Sequence, residues 1–369
     1  MWRPQKPEPQ VSRNFIRTSL FAFVALAATS SLHAQAERLS VTGAKVGIWN
    51  IIGKVTVTPA ASGRAVNVNV TRRGRDASKL TIEKGPIGGR ETIRIIYPGD
   101  RITDISTDQY TGWRTELRIR DDGTFGDGWG EGRHGNDGRR VIIGDRGGNG
   151  TEAAADLEIE VPNGQEIAIF LVAGEITARN LNGKILLDTH RADVSATAMK
   201  GDLDIDTGSG DVEVEGMEGP LKVDVGSGDV TLRNVSGSDL DIDTGSGEVK
   251  GTAITSSALN LDTGSGGIDL DGLTAQRVAV DVGSGDVDLA WTTDPGDVEI
   301  DSGSGSVTLT MPPTSGATLE IETSSGDIES AFEIRTNRIE RDSLRGSFGD
   351  GKGRIVIDTG SGDVELVKR

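Results

Sequence analysis

Beyond Leu203 the chain alternates apolar and polar residues with a period of two, interrupted at regular intervals by a glycine corner. Leu203 and Ile205 alternate with Asp204 and Asp206, and the corner Thr207-Gly208-Ser209-Gly210 follows. After it Val212 and Val214 alternate with Asp211 and Glu213. Period-two alternation marks half-buried strands, here with aliphatic side chains inward and acids outward. Leu221/Val223 with Val230/Leu232, Val278/Val280 with Val287/Leu289, and Ile355/Ile357 with Val364/Leu366 repeat it.

The corner begins at Asp206, Asp224, Asp243, Asp262, Asp281, Asp301, Glu322 and Asp358, with a degenerate copy at Asp188. From that copy onward the spacings are 18, 18, 19, 19, 19, 20, 21 and 36 residues. Only the last is anomalous, and it contains an insertion, residues 331–353. Two strands and two turns in about 19 residues form one coil of a flattened parallel β-solenoid, with coils stacked about 4.8 Å apart. The same corner would also close the short hairpins of an antiparallel meander, and local chemistry fits both. In-register stacking costs about 1 kcal/mol per pair of adjacent like charges even in water. Near-identical coils are nevertheless what stacking selects, and the solenoid is the expected all-β fold.

The corner glycines are Gly208, Gly210, Gly226, Gly228, Gly245, Gly247, Gly264, Gly266, Gly283, Gly285, Gly303, Gly305, Gly360 and Gly362. They are expected to supply backbone angles that a Cβ resists. The leading Asp of each corner is expected to accept hydrogen bonds from that corner's own amides.

Ahead of the repeats the pattern is less regular. Val46 to Asn50, Lys54 to Thr58, Ala65 to Thr71, Leu80 to Glu83, Thr92 to Tyr97 and Thr115 to Arg120 read as strands. Residues 121–150 hold eleven glycines and read as a loop or linker. The expected organisation is therefore a smaller β-rich region at 37–120, that linker, and a repeat domain at 151–369.

Residues 1–36 read as a signal peptide. Arg3, Lys6, Arg13 and Arg17 precede a short apolar run, Leu20 to Ala28, and Ala34-Gln35-Ala36 offers the small-x-small cleavage pattern. Cleavage after Ala36 would begin the mature chain at Glu37. Export to the periplasm, cell surface or medium follows as an expectation, with no transmembrane segment after signal removal.

Composition supports many turns and thin layers: 52 glycines, aromatics at 4% and no cysteine. The absence of cysteine excludes disulfides, thiol catalysis and zinc–cysteine sites. The net charge of −18 is concentrated in residues 201–330, which carry 27 acids and 4 bases. Such a surface repels nucleic acid and anionic lipid.

Ile48-Trp49-Asn50-Ile51-Ile52-Gly53-Lys54-Val55-Thr56-Val57, the Thr-Gly-Ser-Gly-Asp-Val corners and the closing Val364-Glu365-Leu366 give the chain a likeness to a known group. Over most of residues 40–369 it resembles a bacterial β-helical family of unknown function labelled "putative adhesin". The resemblance implies an envelope or surface protein, with no catalytic residues to carry over.

Candidate chemistry is sparse. Ser209, Ser227, Ser246, Ser265, Ser284, Ser304 and Ser361 recur at one corner position, whereas a nucleophile is singular and needs a histidine base. His134 and His190 read as surface residues, and Trp49, Trp113, Trp129 and Trp291 as packing residues rather than a sugar platform. Glycoside cleavage needs converging carboxyls with one raised pKa, and here the acids alternate outward. A polysaccharide-acting enzyme stays as the alternative function. Calcium is the weak metal candidate, shared along Asp206, Asp224, Asp243, Asp262 and Asp281, although the repeat lacks the order of calcium-binding β-rolls. The expected function is a non-enzymatic envelope or surface scaffold, with another envelope protein or a polysaccharide as partner.

Overall fold

The computed structural model describes residues 36–106, 112–126, 137–144, 150–340 and 342–369, with 337–339 described by their backbone. The expected signal segment except Ala36, as well as Trp129 and His134, lies outside the described residues.

Alternation becomes a parallel solenoid because each coil repeats the burial pattern of the one before it. Leu221, Leu240, Leu259 and Val278 meet in register, as do Val223, Ile242, Leu261 and Val280. All eight are buried. The second face stacks Val230, Val249, Ile268 and Val287 in the same way. These pairings are parallel throughout, which rules out the meander. Each fully buried aliphatic contributes about 1.5–3 kcal/mol relative to exposure, so every coil brings its own thin core.

The stack does not begin at residue 151. Lys45–Pro59 is one bent strand that pairs in parallel with Gln165–Arg179, which pairs in turn with Asn182–Thr197. Arg90–Ile96 and Ala154–Val161 form the next layer out, each parallel to a different half of Lys45–Pro59. Val66–Arg73 then covers Ala154–Val161 antiparallel, and Glu37–Val41 covers Val66–Arg73. Residues 34–369 form one compact unit, so the separation expected near 121–150 divides no two bodies. The region before the repeats supplies their first coil and their cap.

Part of the supposed linker is also a strand. Arg139–Gly144 joins Arg101–Thr103, Arg114–Ile119 and Thr151–Glu152 in a separate four-stranded sheet. Its Val141 and Ile143 are buried, an alternation that the surrounding glycines masked in the sequence.

At the other end the insertion is a hairpin, Arg335–Ile339 with Ser343–Phe348, laid antiparallel on Ala317–Thr323. Here spatial order departs from chain order. Gly353–Ser361 lies between Asp297–Ser304 and Ala317–Thr323, parallel to both. Val364–Lys368 lies between Val307–Met311 and Ile328–Ser330 in the same manner. The coil at 317–330 is therefore outermost, and the long spacing between Glu322 and Asp358 marks a crossover.

Candidate functional site

The leading corner acids fall into one column. Asp188, Asp206, Asp224, Asp243, Asp262, Asp281, Asp301, Asp358 and Glu322 occupy successive coils in register. Strand alternation sends them outward, with Asp188 and Asp224 half-buried and the others exposed. Asp241, Glu299 and Lys222 stand beside them, two residues upstream, and these side chains line a shallow acidic trough.

Crowding and partial burial leave a mark on protonation. Although Asp206 is exposed as a residue, protein packed around its carboxyl desolvates it and pushes it above its ordinary value, and the nearby charges of Asp224 and Asp204 add to it. Asp243 is raised for the same reasons, first by desolvation and then by Asp224, Asp262 and Asp241. Asp204 is raised by desolvation, against the opposing pull of Lys222 and Lys184. An outward position therefore does not leave these acids to water alone. Stacking at coil spacing puts each one within reach of its neighbours' charge.

The five calcium candidates, Asp206, Asp224, Asp243, Asp262 and Asp281, lie consecutively in this column. Among the described residues no three His, Cys, Asp or Glu side chains gather around a point that could hold a metal ion. A column presents carboxylates side by side, whereas a calcium cage wraps six to eight oxygens around one centre.

Capping of the corners is done by a different acid from the one expected. The acid after the second corner glycine accepts from the equivalent amide one coil further on. Asp211 N–H donates to Asp193 Oδ1 (3.0 Å), Asp229 N–H to Asp211 Oδ1 (3.0 Å) and Glu248 N–H to Asp229 Oδ1 (2.9 Å). Ser306 with Asp286 and Asp327 with Asp363 continue the pattern. Because these bonds run between coils, reading one corner alone cannot find them.

Two glycines per corner are needed for different reasons. Gly228 sits at φ +147°, and a Cβ there would lie 2.1 Å from the carbonyl oxygen of Gly210 in the preceding coil. Gly226 has no such φ, yet its Cβ would lie 2.6 Å from the oxygen of Gly208. Close stacking of corner on corner, rather than the turn alone, enforces the repeat. The Thr of the corner points inward, and the hydroxyls of Thr244, Thr263, Ser302 and Thr359 are buried without a hydrogen-bond partner.

One corner carries side chains instead of glycines. His190 and Arg191 replace Gly208 and Ser209 of the next coil, and the four-stranded sheet docks on them. Thr115 Oγ1 lies 2.6 Å from His190 Nε2, and the Arg191 guanidinium sits 5.2 Å from the centre of the Trp113 ring. Trp113 Nε1 in turn donates to the buried Asp104 (3.1 Å). Burial holds the His190 pKa below its ordinary value, with the Arg191 charge acting in the same direction. His190 thus meets a threonine, and its contact with Ser209 runs through the backbone, Ser209 Oγ donating to the His190 carbonyl at 3.5 Å. Trp49 and Trp291 are core residues, as packing predicts.

The family described as Toastrack DUF4097 matches residues 136–367. No curated protein matches the chain. Among solved structures, a "putative cell adhesion protein" from Clostridium sporogenes ATCC 15579 is similar at 11% identity and a TM-score of 0.22, over 91% of this chain and 100% of that one. A "putative lipid binding protein" from Parabacteroides distasonis ATCC 8503 is similar at 12% identity and a TM-score of 0.38, over 91% of this chain and 98% of that one.

Proposed function

The chain belongs to the Toastrack DUF4097 family, and on that premise we propose that it is a non-enzymatic, exported envelope or surface protein whose solenoid holds an acidic face rigid for adhesive contact. The observation that carries this reading is the outward column from Asp188 to Glu322, one acid per coil in unbroken register. A mobile acidic tail would lose conformational entropy on binding. Acids fixed on hydrogen-bonded strands have already lost it, so a partner with cationic groups meets a preorganised surface. Self-repulsion along the column is a cost to stability that contact with such a partner relieves.

Export is supported by the basic start, the apolar run and the Ala34-Gln35-Ala36 pattern, which together predict a mature chain beginning at Glu37. Repetition of the serine corner favours structure over catalysis, since an active site is singular.

The test has two arms. Fractionation with surface proteolysis, followed by N-terminal sequencing of the native protein, should find it outside the cytoplasm with Glu37 first. A retained Met1 would defeat the export reading. Attachment of the purified chain to native envelopes should fall about tenfold in a triple Asp243→Asn, Asp262→Asn, Asp281→Asn variant, and should weaken with salt. Attachment indifferent to both changes would defeat the acidic-face reading and leave export untouched.

A further inference from the structure

The crossover at the insertion end makes one coil responsible for holding another. Among the described residues, the strands of 317–348 pair only with one another and with the coil at 353–369. Among the described residues, further bonds fasten this module to the same coil. Ser324 N–H donates to the Thr359 carbonyl, Ala331 N–H to Leu366, Thr318 Oγ1 to Gly353 and Thr323 Oγ1 to Gly362. Lys368 lies 5.2 Å from the Phe332 ring, and Phe332 packs on Phe348 at 4.5 Å to close the module's own core. Arg345 reaches both Glu320 and Glu322, so charge also ties the hairpin to its own outer coil.

Coil 353–369, by contrast, is bolted to the main stack. Arg354 pairs with Asp297 at 3.0 Å. Arg369 pairs with Asp271 at 3.1 Å and donates to the Trp291 carbonyl at 3.3 Å, reaching past the neighbouring coil. Among the described residues, a contact toward the earlier stack is made at the connecting turn, where Ser315 Oγ donates to Asp294 Oδ1 at 3.0 Å.

We propose that residues 353–369 are a releasable keystone: their undocking frees residues 317–348 as one cooperative unit and leaves the solenoid through residue 311 folded. In a linear repeat each coil is held by its sequence neighbours, and opening proceeds from the end inward one coil at a time. Here the outermost coil loses its docking when the inserted one leaves, because among the described strands no other pairs with it outside its own module. The opened protein exposes the outer edges of Asp297–Ser304 and Val307–Met311, which in the closed state pair with the keystone.

Native-state hydrogen exchange read by mass spectrometry tests this on the full chain. In wild-type protein at rising sub-denaturing urea, amides of 317–348 and 353–369 should open together, before those of 165–289. Gly362→Val sharpens the test, since a Cβ there would lie 2.0 Å from the Gly305 oxygen. Protection in both segments should fall by about tenfold or more and in 165–289 by less than about twofold, while Ser361→Ala leaves the pattern unchanged. Retained protection of 317–348 while 353–369 exchanges would overturn the keystone. So would a single opening shared by the whole of 165–369. If Gly362→Val fails to fold, the wild-type urea series decides the question alone.

Discussion

Trp49 and Phe170 occupy the same outward position of the coil as Asp188 and the acids that follow it, yet they are buried where the acids face water. Their rings stack at 4.4 Å and 6°, Phe125 meets Phe170 edge-on at 6.5 Å, and Trp49 Nε1 donates to the Phe125 carbonyl at 3.1 Å. Phe125 leads out of the four-stranded sheet, so those first coils carry a second small core on their outside. From the next coil onward the column turns acidic. One backbone position thus reads apolar under a cover and charged without one. The identity of an outward residue reports what lies over it, and a nearly unbroken acidic run reports a face left open.

Emptying the covered core should have the largest effect. Phe170→Ala should cost about 3–5 kcal/mol, through lost burial and the cavity left behind, whereas Asp243→Ala on the open face should change stability by less than about 0.5 kcal/mol or raise it slightly. Urea unfolding of both variants checks this, and equal losses would mean that the outer face is one continuous core.

A smaller loss is expected at the corners, which both regions share. Gly228→Val should cost about 1–3 kcal/mol, combining its positive φ with the clash on Gly210, while Ser227→Ala stays within about 0.5 kcal/mol. A Ser227→Ala variant that lost an assayable activity while keeping its fold would contradict the scaffold reading.

Protonation probes the open face alone. Asp206 and Asp243 have folded-state pKa values above the ordinary range, so the folded chain binds more protons there than the unfolded chain. Their contribution is therefore fully present below the ordinary aspartate value of about 3.9 and is lost as pH rises through their raised values. Acids with depressed values, such as Asp76 held by the Glu152 amide and Lys79, work oppositely and lose their contribution as pH falls through those values. The melting temperature should thus climb modestly as pH falls from neutrality through the raised values of Asp206 and Asp243, before falling at lower pH, and Asp206→Asn with Asp243→Asn should flatten the climb. A melting temperature that only declines from neutrality would mean that the column carries no appreciable repulsion.

The smallest expected effect is ionic. Salt should raise the melting temperature by screening the column, and millimolar calcium should add no more than magnesium at matched ionic strength. A calcium increment beyond both controls would turn the column from a repulsive ladder into a metal site.

Alternation and corner spacing were enough, from sequence, to determine the repeat, its inward residues and its outward acids, because period-two burial and a glycine corner are local properties, whereas the choice of parallel coils over an antiparallel meander was made by the pairing between repeats. The sequence also exposed the anomaly between Glu322 and Asp358 without explaining it. Tertiary structure alone decided that 353–369 inserts before 317–330, since near-identical coils offer many equivalent neighbours and nothing local chooses among them. It alone placed Lys45–Pro59 in the stack, whose Trp49 and Asn50 stand where the repeats carry Asp and Thr. It also made the trailing acid, rather than the leading one, the cap, because that carboxylate reaches an amide some 18–20 residues away in sequence and one coil away in space.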